Sequence, residues 1–497
     1  MNSPLILLLS LSIILTHSIN YAKVINSKDT DYKVVCYWGS WSFYRPNAGQ
    51  FDPKNIDPKL CTHLMYGFAK LNEETNKIEA FEPGLDLGSE DWESGLPWGR
   101  GMYRKFNALR EQNPSLKTII SIGGWNEGSD KYSRMVFNPQ SRAVFVQSVV
   151  DFLAEYKFDG LDVDWEYPGQ KAVGDQDREP GNEADKENFV ILLRELRAAL
   201  KPKGYLLGAA VSAGAPTIDR GYNVKEVSEL LDFINLMTYD FNGGWESKTS
   251  HNAPLYHWEN PANDKEKQFT VSYGVDHWLK LGVDPKKLIM GLPLYGRGFT
   301  LANPLENGFK APATGKGCKE GPYTRQTGIL GYMEICDNFK TQPWNKLRDD
   351  IYQKVPYAVY GDQWIGYDDQ QSLREKVAFL KNRGLGGACV WSIDMDDFSG
   401  SCGEGKFPLL TEINKALKGS VGPGPGPNPE PTSATPPPNP PPTSDFQCTQ
   451  VGTFPDPKDP TIFHRCIDQG NGQFQHIQTQ CPSETIYDPA LQVCDHK

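Results

Sequence analysis

Eight short apolar, β-prone runs alternate with amphipathic helical stretches, and acidic side chains gather at the end of one run. Together these observations predict an α/β fold, a (β/α)8 TIM barrel with a small α+β insertion after strand seven. Four cysteines in the last fifty residues add a small, disulfide-stapled, β-rich module at the C-terminus.

The runs begin at Lys33, His63, Thr118, Gly160, Leu207, Phe233, Leu288 and Gly387. Helical periodicity fills several gaps, as in Arg142 to Tyr156 and Glu183 to Leu200. An open doubly wound sheet is the alternative. The barrel is favoured because the chemistry-bearing residues sit at the C-terminal ends of several runs, where barrels hold their sites. The gap before the last run is too long for one helix. About Gly298 to Gly366, it contains Tyr323-Thr324, Ile329 to Met333, Tyr357 to Tyr360 and Gln363 to Gly366, which read as short strands around a helix. This is the predicted insertion.

Residues 1–22 read as a secretory signal, with an apolar run from Leu5 to Leu15 and Ala22 before the cut, although no Lys or Arg precedes that run. The run is too short to cross a ~30 Å hydrocarbon core comfortably. A secreted, extracellular, monomeric protein follows, and the ten cysteines suit an oxidising compartment. Residues 30–418 form the predicted catalytic barrel, 419–445 a Pro/Gly/Ser/Thr-rich spacer, and 446–497 the terminal module. The formal net charge of -11 disfavours nucleic acid and anionic membranes as partners, and is compatible with a neutral polymer.

The acidic run is Phe158-Asp159-Gly160-Leu161-Asp162-Val163-Asp164-Trp165-Glu166-Tyr167-Pro168. In a strand, side chains alternate between faces. Asp162, Asp164 and Glu166 therefore share one face, and Leu161, Val163 and Trp165 share the other. Buried carboxylates are costly, so a row of them beside an apolar face marks a reaction site rather than a solvated loop. Asp159 has the opposite parity and reads as structural.

The D-x-x-D-x-D-x-E pattern resembles that of glycoside hydrolase family 18, the chitinases, and the likeness extends from about Lys33 to Leu417. Phe454 to Pro457, Phe463 to Cys466 and Cys481-Pro482 resemble a peritrophin-A-type chitin-binding domain, with Phe474 and Tyr487 as sugar-stacking or core residues. The resemblance implies retaining, substrate-assisted hydrolysis of β-1,4-linked N-acetylglucosamine, with chitin and its oligomers as partners and no metal or cofactor. It implies Glu166 as general acid, Asp164 as acceptor for the acetamide N–H, Asp162 sharing a proton with Asp164, and Tyr239 as donor to the acetamide oxygen. Met237, Thr238 and Asp240 flank Tyr239 in the same pocket. Trp391 matches the floor of the −1 subsite. Trp41, Trp125, Asn126 and Trp245 match a groove, as do Tyr37, Tyr167 and Arg297. Gly123 and Gly124 are read as leaving the backbone open to a sugar. The resemblance also implies the disulfides Cys36–Cys61, Cys336–Cys402, Cys448–Cys466 and Cys481–Cys494. Cys389 is expected to remain a buried thiol, and Cys318 has no assigned partner. A catalytically weak or inactive chitinase-like lectin is the alternative. Such relatives typically lose the acid, whereas Glu166 is present here.

Overall fold

The computed structural model describes residues 32–88, 101–170, 182–258, 261–419, 446–450, 452–468, 474–481, 485–488 and 493–496. The expected signal and most of the spacer lie outside them. The chain divides into two compact units, Met1–Gly426 and Pro427–Lys497.

The first unit is a closed barrel of eight parallel strands. In order they are Lys33–Gly39, His63–Asn72, Lys117–Gly123, Gly160–Asp164, Leu206–Ser212, Phe233–Met237, Leu288–Pro293 and Gly387–Trp391. Each pairs with the next, and the eighth returns to the first, with Lys33 opposite Gly387 and Val34 opposite Ala388. The expected eight strands and their order are all present. Outward side chains such as Leu161, Val163 and Trp165 join the apolar layer beneath the surrounding helices. Helix Pro139–Tyr156 illustrates the local causes. Pro139 fits the first helical position, the Asn138 side chain accepts from Gln140 N, and Lys157 ends the helix at a φ of 65°. Asp159 is structural as expected. Its Oδ2 accepts from Thr118 N at 2.8 Å and meets the Arg110 guanidinium at 3.0 Å.

Inside the barrel, Val35, Tyr37, Met65, Ile119, Phe233, Ile289 and Cys389 pack together. Inward positions of the third, fourth and sixth strands add Ser121, Asp162 and Asn235, which join the Tyr37 hydroxyl in a polar layer. A closed core thus underlies a polar floor.

The insertion is a six-stranded sheet with helix Tyr332–Thr341 against it, and it starts slightly early, at Tyr295. Tyr323-Thr324 is a turn rather than the expected strand, its backbone N–H groups held by the buried Glu334 carboxylate. Three of its strands were not foreseen, Tyr295–Leu301 among them. Ala313–Gly317 and the edge strand Asn345–Asp349 are polar and gain their conformation from pairing with Tyr295–Leu301 and Val355–Tyr360.

Disulfides join Cys36 to Cys61 and Cys336 to Cys402, as the resemblance implied, and Cys318 and Cys389 are free and buried. Among the described residues, no helix is long and apolar enough to cross a membrane.

His251 packs where the loop after the sixth strand meets the insertion. It accepts from Ala253 N, and its other ring nitrogen bonds Tyr367 O at 2.8 Å. Burial pushes its pKa down to about 4. The fold therefore favours the neutral ring. Its contribution to stability is present above the unfolded value near 6.5 and is lost as pH falls through about 4, a difference of roughly 3 kcal/mol. We expect the His251 ring proton resonances to titrate near pH 4. A midpoint near 6.5 would contradict the burial argument.

The second unit contains a three-stranded antiparallel sheet, Gly452–Pro455, Ile462–Asp468 and Phe474–Gln480, and a hairpin of Thr485–Asp488 with Val493–His496. Cys448 is bonded to Cys466 as expected, and Cys481 is also disulfide-bonded, while the side chains of Cys494 and Tyr487 lie outside the described residues. Buried His464 bridges Asp456 at 2.7 Å and His476 at 2.8 Å, and Phe446 stacks on it with ring centroids 4.1 Å apart. Phe474 is half-buried.

Candidate active site

The acid row enters the barrel on strand four. Asp162 lies lowest and is fully buried. Its Oδ2 accepts from the Tyr37 hydroxyl and from Ser121 Oγ, both at 2.8 Å, and its Oδ1 accepts from Asn235 Nδ2 at 3.3 Å. Burial pushes its pKa up to about 6, while those three donors pull it down. They favour the charged carboxylate. Asp162 is thus held by three neutral donors.

Asp164 ends the strand. Burial first, then the charge of Glu166, then that of Asp162, hold it well above the usual carboxylate range. Its Oδ1 is buried and has no hydrogen-bond partner among the described residues. Glu166 follows two residues on, just past the strand's C-terminal end, and is 9 % exposed.

Tyr239 follows strand six, in loose edge-to-face contact with Tyr295 at 6.3 Å. Gly291 makes room for it, since a Cβ there would meet the Tyr239 ring at 2.8 Å. Burial foremost, with Cys389 next, raises the Tyr239 pKa well above its ordinary value, so the hydroxyl keeps its proton and is a donor. Met237 is half-buried beside it. Thr238 points elsewhere. It is fully buried and donates to Gly291 O at 2.6 Å, so its hydroxyl braces strand seven instead of facing the pocket.

The glycine pair is explained by contacts within the protein. Gly123 has a φ of 113°, and a Cβ on it would sit 2.2 Å from Asp164 O. Gly124 has a φ of 84°, donates to that same oxygen at 2.8 Å, and lies under the Phe68 ring. Both are glycine because strand four and Phe68 crowd them.

Around this centre, Trp41, Trp125 and Trp245 are 45 %, 49 % and 57 % exposed, on loops after strands one, three and six. Trp391 ends strand eight and is half-buried. Phe68 stacks on both Trp41 and Trp391, with centroids 6.0 and 5.9 Å away. Asn126 is exposed and Tyr167 half-buried. Tyr37 is buried, its hydroxyl occupied by Asp162 and Asn235, so it supports the floor from below. Asp240 accepts from Arg297 Nε at 2.7 Å, from Arg297 Nη2 at 2.6 Å and from the Tyr295 hydroxyl. The Arg297 guanidinium lies 5.0 Å from the Trp245 ring centre. This clamp ties the barrel loop to the insertion and supports the Trp245 face.

Sequence reasoning missed Ser121, Asn235, Phe68 and Tyr295. Ser121 and Asn235 were legible, as polar residues at inward positions of otherwise apolar strands. Phe68 and Tyr295 gave no signal distinct from core aromatics.

A row of buried carboxylates beneath tryptophan faces at the C-terminal end of a (β/α)8 barrel is a glycosidase site in form. The family model for Glycosyl hydrolases family 18 matches residues 33–396, which hold every one of these groups. The chain belongs to that family. The glycosyl hydrolase also carries a match to the Chitin binding Peritrophin-A domain over residues 448–497. It is 37% identical to Chitotriosidase-1 of Mus musculus over 476 residues, covering 93% of this chain and 95% of that one. It is 41% identical to Probable chitinase 10 of Drosophila melanogaster over 396 residues, which is 79% of this chain and 16% of that longer protein. The Ostrinia furnacalis Group IV chitinase in complex with allosamidin matches with a TM-score of 0.72 and 42% identity, covering 78% of this chain and 99% of that one. Human YKL-39, a pseudo-chitinase with retained chitooligosaccharide binding, matches at 0.68 and 40%, covering 78% and 100%.

Proposed function

We propose that this glycosyl hydrolase is a secreted chitinase that cleaves β-1,4 linkages between N-acetylglucosamine units with retention of configuration. The observation that carries the reading is the buried row Asp162, Asp164 and Glu166, ending at the strand's C-terminal end beneath exposed tryptophan faces. Glu166 gives its proton to the leaving oxygen. The substrate's own acetamide oxygen attacks the anomeric carbon, forming an oxazolinium ion, while Tyr239 donates to that oxygen. Asp164, whose Oδ1 has no partner among the described residues, takes the acetamide N–H. Asp162, steadied by Ser121, Tyr37 and Asn235, supplies the negative charge beneath it. Sugar C–H faces pack on Trp41, Trp125, Trp245 and Trp391. Release of reducing ends from colloidal chitin tests the activity. Binding of chitin oligomers without such release is the outcome for the alternative, an inactive lectin, against which the retained Glu166 argues.

The terminal unit acts as a tether that raises the enzyme's concentration at an insoluble surface. Deleting Ser420 to Lys497 is expected to spare turnover of short soluble oligomers and to weaken both retention on chitin beads and action on insoluble chitin. Equal retention of the two forms would remove the tether from the account.

A further inference from the structure

We propose that Ser129 is a positioning residue that fixes the carboxyl of Glu166 by holding the residues on either side of it. The inference rests on Glu166 being the general acid. Strand four ends at Asp164, so the acid lies just beyond the regular ladder that holds Asp162 and Val163 in register. Something other than strand pairing must fix the backbone there.

The loop after strand three performs this task. Ser129 Oγ accepts from the Trp165 indole N–H at 2.7 Å and donates to Tyr167 O at 2.8 Å. One hydroxyl thus grips both neighbours of Glu166. The serine is 6 % exposed and Trp165 1 %, so water offers the indole little substitute. Trp165 is wedged between Tyr132, stacked at 6.0 Å, and Phe189, edge-on at 5.8 Å, which keeps its ring from swinging away. The same loop reaches the preceding acid, through Gly124 N to Asp164 O at 2.8 Å.

The loop is itself anchored at both ends of its turn. Half-buried Glu127 accepts from Leu71 N at 3.1 Å and from the Tyr132 hydroxyl at 3.0 Å, and pairs with Lys131. Ser133, one helical turn beyond Ser129, donates to Asp185 Oδ1 at 2.6 Å, and Asp185 Oδ2 accepts from Gly169 N at 3.1 Å. The segment from 164 to 169 is therefore clasped from one side at Asp164, Trp165, Tyr167 and Gly169. Ser129 is the member of this clasp next to the acid on both sides.

A displaced general acid slows the chemical step more than it weakens binding, since misplacement of about 1 Å costs up to about 10²-fold in rate. The test uses the full chain with Ser129→Ala and the shape-preserving Ser129→Cys, alongside Glu166→Gln. Both serine variants are expected to lower kcat by about 10- to 10²-fold with KM on a soluble oligomer within about twofold. The basic limb of the pH–rate profile should also move, because the acid's surroundings have changed. If the serine variants melt lower but keep kcat per folded enzyme and the same limb, Ser129 is only structural and the proposal falls. If Ser129→Ala does not fold, Ser129→Cys alone decides between those outcomes. Full activity in Glu166→Gln would instead overturn the acid assignment, so the two failures are separable.

Discussion

Replacing Glu166 by Gln is expected to leave a folded protein that binds chitin oligomers and turns them over at least about 10²-fold more slowly. The amide matches the acid in size and cannot deliver a proton to a leaving oxygen. The fold should not suffer. Ionised Glu166 is the second cause, after burial, of the raised pKa of Asp164, so a neutral amide, like the protonated acid, avoids a like-charge contact between buried groups. The melting temperature should hold or rise while kcat collapses. Circular dichroism melts, oligomer binding by calorimetry and product release by chromatography read these three quantities separately. A variant that hydrolyses at near the parent rate would remove Glu166 from the chemistry. A variant that neither folds nor binds would show that the carboxyl is part of the framework.

How far the sequence reveals this molecule depends on whether the determining contact is periodic or distant. The acid strand was readable because parity alone separates Asp162 and Asp164 from Leu161 and Val163, and the structure buries the two sets on opposite sides. The same parity would have exposed Ser121 and Asn235 had every inward position been checked for polarity. Edge strands such as Asn345–Asp349 carry no such signal, because pairing rather than composition makes them strands. Gly123 and Gly124 stand out in the sequence, but the contacts within the protein that demand glycine there do not. Within the protein, what approaches them is the Asp164 carbonyl and the Phe68 ring, from the strands paired on either side. Ser129 lies 36 residues from Trp165 and 38 from Tyr167, and nothing about a serine in a loop announces that reach.

Hydrolysis is expected to fail when the sugar at the −1 position carries a free amine in place of the acetamide, although such oligomers should still bind. Asp162 and Asp164 enter from one strand, and Glu166 follows them along the same run. None is set apart on another strand as the second carboxylate of a two-carboxylate glycosidase would be. Asp162 is further disqualified as an attacking group, because three donors already occupy its oxygens below the pocket. Asp240, the carboxylate after strand six, is engaged by Arg297 and Tyr295, so in the proposed mechanism the nucleophile is the substrate's carbonyl oxygen, which the free amine lacks. Tyr239 keeps its proton, since burial foremost raises its pKa, and so remains a donor to that oxygen as the ring closes. Tyr239→Phe should therefore lower kcat with little change in oligomer affinity, because the interaction grows toward the transition state. Attack from within the substrate followed by water gives two inversions, so the first product should be the β-anomer. Proton NMR within the first minutes reads this directly. An initial α-anomer, or efficient cleavage after a −1 glucosamine, would overturn substrate assistance and leave the barrel and its acid row as described.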